Sequence, residues 1–554
     1  MKEEIIFNSK IYDNLNIWLI SSIFLAFLIS IPLLVIVFSS IKVNNQIWNH
    51  IYDYLIFFYL SNSLFLLLGV SLLTCLMGVL AAWFIVFYNI PFKKLISTLL
   101  ILPIAIPPYA MAYCYADLTD KQGVINNIFF ILFSNQASDI LPSFRSLFGA
   151  IFVLSLTLFP YVFLIVKYSF QNNALKIIES AANLGATKLK LFFNFALPVA
   201  RPALVAGIAL VVMESLADFG VVHYLGVNSL SVGVYKAWFG FDDINSSARL
   251  ALILLTFTLS IILIEKYFRR KKRENYATFG SYSDFNILFN SKTIFPIIFL
   301  TILIALSLII PISWLISNLK LHNFENLNEI ISAALNSIKL ALFGALIIVT
   351  FATIIIFAKR ISKLDFLSFI LNFSKIGYAA PGIVIAIGII TPTIFLDKKI
   401  NSIFNYFGKD VGLIMSGSIA ILIFAYLVRF LSVAFNPIES GMEKISEKID
   451  YSALNLGASK NDLFFKVHFP MIFTTCLIGF LLIFIDILKE LPITLILRPY
   501  NFNTLSVLTF EYASSEQLVL ASLPSLLITA IGLVPLIFID KIINYRIGKY
   551  NEHN

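Results

Sequence analysis

Two pairs of carboxylates stand out in an otherwise apolar chain. Glu214 and Asp218 lie in "VVMESLADFG", and Asp486 and Glu490 lie in "IFIDILKELP". Each pair is spaced i, i+4, so each lies on one face of a helix. One offset of 272 residues relates the pairs, Glu214 to Asp486 and Asp218 to Glu490. Acids among apolar residues are costly and mark sites of function. Facing a polar pathway, their oxygens would attract a hard cation. The plainer reading is structural: each acid pairs with a nearby base such as Lys489, Arg498 or Arg429, or caps a helix. No covalent chemistry is legible, and no catalytic residue is assigned. There is no GxxxxGK[ST] phosphate loop and no HExxH. The five histidines are scattered, His223 reads as a solvated loop residue, and His468 lies in a repeated segment discussed below. No metal-ligand set is assigned.

The elements that must hold these acids are membrane helices. Of 554 residues, 59% are hydrophobic and only 13% charged, with a mean hydropathy of +0.90. Many runs reach the ~20 apolar residues that a bilayer core requires. Twelve spans are expected, near 17–40, 61–88, 96–118, 146–169, 200–220, 247–264, 294–317, 336–357, 376–396, 411–435, 471–488 and 519–540. Their continuous apolar character excludes a barrel of short alternating strands. The fold class is therefore an all-α polytopic membrane protein. The first run, 17–40, is too long for a signal-peptide core and reads as a retained helix. The three cysteines are packing residues, with no CxxC pair among them.

The net charge of +9 follows topology rather than a nucleic-acid partner. Most Lys and Arg fall in alternate loops, which places both termini in the cytoplasm. The densest run, "KYFRRKKRE" (Lys266 to Glu274), lies between spans six and seven. It reads as a topology anchor and linker, with anionic lipid headgroups as a second reading.

That linker (265–292) divides two six-span halves, 1–264 and 293–554. Glu179 to Pro198, "ESAANLGATKLKLFFNFALP", returns as Tyr451 to Pro470, "YSALNLGASKNDLFFKVHFP", with 11 identities in 20. Upstream, the Asn-Ser pair 62–63 recurs at 336–337, and Pro107 recurs as Pro381. An even number of spans per repeat gives both halves one orientation, as in parallel-repeat transporters. Both copies of the segment fall in cytoplasmic loops. Each carries small residues (Ala181 and Ala182; Ala453), a glycine suited to a helix C-cap (Gly185; Gly457), a Phe-Phe pair, and a proline suited to a helix start (Pro198; Pro470). Two such elements imply two related docking partners.

The first copy resembles the EAA loop of bacterial ABC-importer permeases, in which short coupling helices seat in clefts of the ATP-binding subunits. On that resemblance Glu179, Ala181, Ala182, Gly185 and Pro198 form one coupling site, and Ala453, Gly457 and Pro470 the other. The second copy departs from the pattern: Tyr451 replaces the leading glutamate and Leu454 the second alanine, with Asp450 one residue earlier. Four longer stretches are similar to the fused ferric-iron permeases: "LPIAIPPYAMAYCYADL" (Leu102 to Leu118), Glu214 to Gly240, "RFLSVAFNPIESGMEKIS" (Arg429 to Ser446) and "KELPITLILRPYNFNTLS" (Lys489 to Ser506). The resemblance implies a type I ABC-importer permease of a bacterial inner membrane. Its partners would be two ATP-binding subunits on the cytoplasmic face and a periplasmic binding protein. No cofactor belongs to this chain, because ATP is bound by the partners. Thiamine, phosphonate, sulfate or polyamine are alternative cargoes of the same architecture. An ion-gradient-driven secondary transporter is the alternative of another class, with the acids as proton relays.

Overall fold

A computed structural model describes residues 17–41, 45–121, 123–133, 144–270, 294–319, 326–362, 380–408 and 411–552. Regular structure among them is helical. Among the described residues ten helices are long and apolar enough to cross a membrane, or eleven if one bent pair counts as a span.

Two of the twelve expected spans take another form among the described residues. The third span, 96–118, is broken into Lys93–Ala105 and Pro108–Asn127, bent by 94°. The cause is local. Ile106 and Pro107 are extended, and a helix restarts with Pro108 in its first turn, where a missing N–H costs nothing. The ninth span, 376–396, is the helix Gly382–Tyr406, which starts directly after Pro381. It carries Asp397, Lys398 and Lys399 in its interior. Residues 363–379, and 271–292 of the linker, lie outside the described residues.

The chain packs as two compact units, and each gathers segments from both halves of the sequence. One contains Met1–Val43, Asp242–Leu252 and Ser332–Thr504. The other contains Asn44–Phe241, Ile253–Ile331 and Leu505–Asn554. The first span, Ile17–Ile41, thus packs with the core of the second half, against Gly382–Tyr406. The last helix, Leu518–Glu552, packs with the core of the first half.

Small residues set the helix spacing in both units. In lipid there is little hydrophobic drive between helices, so close backbone approach and dispersion must hold them. A Cβ on Gly78 would stand 2.8 Å from the Val162 Cβ, and one on Gly207 would stand 3.2 Å from the Val162 Cα. Helices Ile56–Phe87, Leu147–Ser169 and Leu197–Ala217 therefore converge at Val162. In the other unit a Cβ on Gly441 would meet Thr475, which lets Ile419–Glu443 lie close against Phe469–Lys489.

The repeat is visible as chemistry within each unit. Asn62 Nδ2 donates to the Asn228 carbonyl at 3.0 Å. Asn336 Nδ2 donates to the Asn503 carbonyl at 3.2 Å. The recurring asparagine thus ties a long span to the loop that follows the acid-bearing helix in both units.

Candidate functional site

The repeated segments fold alike. Leu175–Asn183 ends at Gly185 with φ +84°, and Glu447–Asn455 ends at Gly457 with φ +85°. Gly185 N–H donates to Ala182 and Ala186 N–H to Ala181. Gly457 N–H donates to Leu454 and Ala458 N–H to Ala453. Both are Schellman caps, which satisfy the last carbonyls of a helix and require the left-handed region that glycine enters freely. The turn pushes the preceding leucine outward: Leu184 and Leu456 are each 89% exposed. Ala181 faces inward and is buried, Glu179 and Ala182 are half-buried, and Ala453 is half-buried in the second copy.

The Phe-Phe pair divides its labour. Phe192 packs on Trp83 with ring centroids 5.2 Å apart. Phe464 packs on Phe357 at 4.7 Å. The second ring of each pair, Phe193 or Phe465, is 58% or 63% exposed. Pro198 and Pro470 stand in the first turn of the helices Leu197–Ala217 and Phe469–Lys489, as the sequence suggests. Each follows a π turn, Leu191–Ala196 or Leu463–His468, inside one continuous 30-residue run, Lys188–Ala217 or Lys460–Lys489. The wider turn accommodates a proline that lacks the N–H of the regular ladder. Each run begins three residues after the turn glycine and extends ~45 Å at 1.5 Å per residue to the acid-bearing end.

The second copy has a polar brace that the first lacks. Arg360, at the end of Leu327–Ser362, donates through Nε to Asp450 Oδ2 at 2.7 Å. Its two terminal nitrogens donate to the carbonyls of Met442 (2.6 Å) and Ile445 (2.8 Å). His468 Nε2 lies 2.8 Å from Asp450 Oδ1. Asp450 therefore turns inward and does not replace the missing surface glutamate. Partial burial pushes its carboxyl pKa up, but the hydrogen bonds and charges of Arg360 and His468 outweigh this and hold it below the usual carboxylate range. At the matching positions of the first copy stand Ile178 and Ala196, both fully buried. Sequence reasoning missed Arg360 because it lies 90 residues from Asp450.

The four acids fare differently. Glu490 Oε1 accepts from Arg429 at 2.9 Å, in a pair only 5% and 8% exposed, and from the Ile493 N–H at 3.2 Å. Gly382 leaves the room for this pair, since a Cβ there would overlap the guanidinium. Asp486 pairs with Lys489 at 3.0 Å. Asp218 ends its helix and accepts the Val221 N–H at 2.9 Å. Glu214 is half-buried one turn earlier. Glu214 and Asp218 belong to one unit, Asp486 and Glu490 to the other. Among the described residues no group of three or more His, Cys, Asp or Glu could hold a metal ion. His223 is not the solvated loop residue expected: its ring packs on Phe219, Tyr235 and Phe510.

Removing Arg429 while leaving Glu490 would strand a buried charge, at a cost of about 3–5 kcal/mol. Arg429→Ala is expected to lower the unfolding temperature of the purified permease markedly, and Arg429→Met with Glu490→Gln to restore most of it. Thermal unfolding in detergent checks both.

Comparison with known proteins agrees with this geometry. Residues 74–274 match the family described as binding-protein-dependent transport system inner membrane component. The chain is 22% identical over 488 residues to the Fe(3+)-transport system permease protein FbpB 2 of Haemophilus influenzae, covering 87% of this chain and 89% of that protein. It is 25% identical over 203 residues to the molybdenum transport system permease protein ModB of Escherichia coli, covering 36% of this chain and 86% of ModB. It is 29% identical over 203 residues to the sulfate transport system permease protein CysT of Salmonella typhimurium, covering 35% and 71%. Apolar helices of spanning length and these matches converge: this multi-pass chain is similar over residues 74–274 to the binding-protein-dependent inner membrane components, and over most of its length to a Fe(3+)-transport permease.

Proposed function

We propose that this permease imports ferric iron handed over by a periplasmic binding protein. ATP is hydrolysed on two separate ATP-binding subunits, one at the turn around Gly185 and one at the turn around Gly457. Both termini lie on the cytoplasmic side with those turns. The observation that carries the docking reading is the twofold Schellman turn, each copy presenting an exposed leucine at the turn and an exposed phenylalanine on the run that leads to an acid-bearing span. The similarity along most of the chain to a Fe(3+)-transport permease supports the cargo.

The mechanism follows from that continuity. A partner that closes on ATP moves the docking turn, and the unbroken run carries the displacement to the acids at its far end. ATP must bind the closed arrangement more tightly to drive this shift. Glu214, Asp218, Asp486 and Glu490 line the pathway in this reading. Asp486 pairs with Lys489 and Glu490 with Arg429.

The test is ATPase activity of the reconstituted complex with its binding protein loaded with ferric iron or with thiamine. Stimulation of several-fold by the ferric form alone is expected. Stimulation by thiamine alone would overturn the cargo and leave the docking turns standing.

A further inference from the structure

One position of the repeat carries opposite charges in the two units. Under the 272-residue offset Lys167 corresponds to Glu439. The packing just before it confirms the register: a Cβ on Gly207 would stand 3.2 Å from the Val162 Cα, and one on Gly479 would stand 3.7 Å from the Ala434 Cα. In the second-half core Glu439 pairs at 2.9 Å with Lys359, near the end of Leu327–Ser362. Charge is thus balanced within that unit, beside the Arg360 brace.

The first-half core places cations at the same level. Lys359 and Arg360 correspond to Ile85 and Val86 under the offset of 274. The stacking of Phe192 on Trp83 and of Phe464 on Phe357 confirms that register. Lys93 folds back onto this span end, its ammonium donating to the Val86 carbonyl at 3.2 Å. The charge that acts on Lys93 is the second cation, Lys167. Among the described residues no carboxylate pairs with Lys93. Lys167 donates to the Ser97 hydroxyl at 2.5 Å, and Ser97 is buried. Lys188 adds a third ammonium at the end of this span, 5.4 Å from the Tyr88 ring centroid. Beside these lysines in the chain, Phe92, Leu95 and Tyr168 are 80%, 58% and 65% exposed.

We propose that Lys93, Lys167 and Ser97 form a site for the phosphate of an anionic membrane lipid, on the side of the docking turns and in the first-half core only. Two ammonium groups that act on each other at the end of a span repel, and an anionic phosphate between them turns that repulsion into charge-assisted hydrogen bonds. Basic pockets between membrane helices hold anionic headgroups in this way. The exposed Phe92, Leu95 and Tyr168 give the acyl chains an apolar surface, which a free anion in water does not need. Lys167 ends Leu147–Ser169, which runs through Phe170–Ala174 into Leu175–Asn183, the helix of the first turn. A headgroup held there ties two span ends beside that helix, as Arg360 does in the second-half core. The site depends on neither the cargo nor the partners of the turns.

The test measures the unfolding temperature of the assembled complex in detergent as phosphatidylglycerol replaces phosphatidylcholine, with inorganic phosphate added to phosphatidylcholine as a separate arm. Phosphatidylglycerol is expected to raise it by several degrees in the wild type, and inorganic phosphate to leave it unchanged. Lys93→Gln should weaken the apparent lipid affinity about fivefold, as expected for one ammonium lost at a membrane surface. Lys167→Glu sets a carboxylate beside Lys93, as Glu439 stands beside Lys359, so it should abolish the lipid effect while stability in phosphatidylcholine stays the same or rises. Lys94→Gln removes an exposed neighbouring charge and should keep the full effect. An effect retained by both Lys93→Gln and Lys167→Glu, or lost equally in Lys94→Gln, would overturn the site. An equal rise with inorganic phosphate would overturn the lipid as its occupant.

Discussion

Gly185→Asp or Gly457→Asp alone is expected to cut uptake at least tenfold while the protein remains in the membrane at its normal level. A Cβ at either glycine meets nothing within 4 Å, so the new side chain disturbs no packing inside the chain. The left-handed backbone (φ +84° and +85°) adds strain of only about 1 kcal/mol, and aspartate bears it better than most residues. The loss should therefore come from what lies outside. Each glycine sits beside a leucine with 89% of its surface exposed, and a charge placed in such a contact costs about 2 kcal/mol or more of binding when the contact is a hot spot. That is roughly 30-fold in affinity. One damaged turn should suffice, because both ATP-binding subunits must close for a cycle. Uptake into vesicles, with membrane abundance measured in parallel, checks this. Normal uptake in both variants would remove the docking assignment.

Arg360→Ala is expected to uncouple hydrolysis from transport. One guanidinium ties the end of Leu327–Ser362 to the end of Ile419–Glu443, through the Met442 and Ile445 carbonyls, and to the docking helix, through Asp450. Its loss leaves Asp450 without its main counter-charge, costing about 2–3 kcal/mol for charge-assisted bonds that are partly solvent-screened. The docking helix would still present Leu456, so ATP hydrolysis should continue. It would no longer be held rigidly to the spans, so iron moved per ATP should fall several-fold. Arg360→Lys keeps the charge but loses the fork and should recover only part. Because the folded-state pKa of Asp450 is depressed, its stabilisation is complete at neutral pH and is lost only as pH falls below the usual carboxylate range. Fully coupled transport by Arg360→Ala would refute the brace.

Much of this was legible in the sequence because it is local. The glycine of each docking turn, the following Phe-Phe pair and the i, i+4 acids are short-range patterns, and their recurrence after 272 residues fixed their correspondence. Hydropathy could not reveal the 94° bend at Ile106 and Pro107, because it measures apolar length and not direction. Nor could it show that Ile17–Ile41 packs with the later core, since apolar helices carry no address in their composition. Arg429 was named as one possible partner of the acids, but only the fold brings it to Glu490 across 61 residues. Pro198 and Pro470 were legible as helix starts, but the π turns before them have no sequence signature of their own.

The central claim is that this one chain grips two ATP-binding subunits, one at each copy of the turn. A photo-crosslinking residue placed at Leu184, and separately at Leu456, in the assembled complex tests it most directly. The account predicts that each position captures an ATP-binding subunit and that ATP binding changes the yield at both. Capture at neither position, in a complex that still transports, would contradict it.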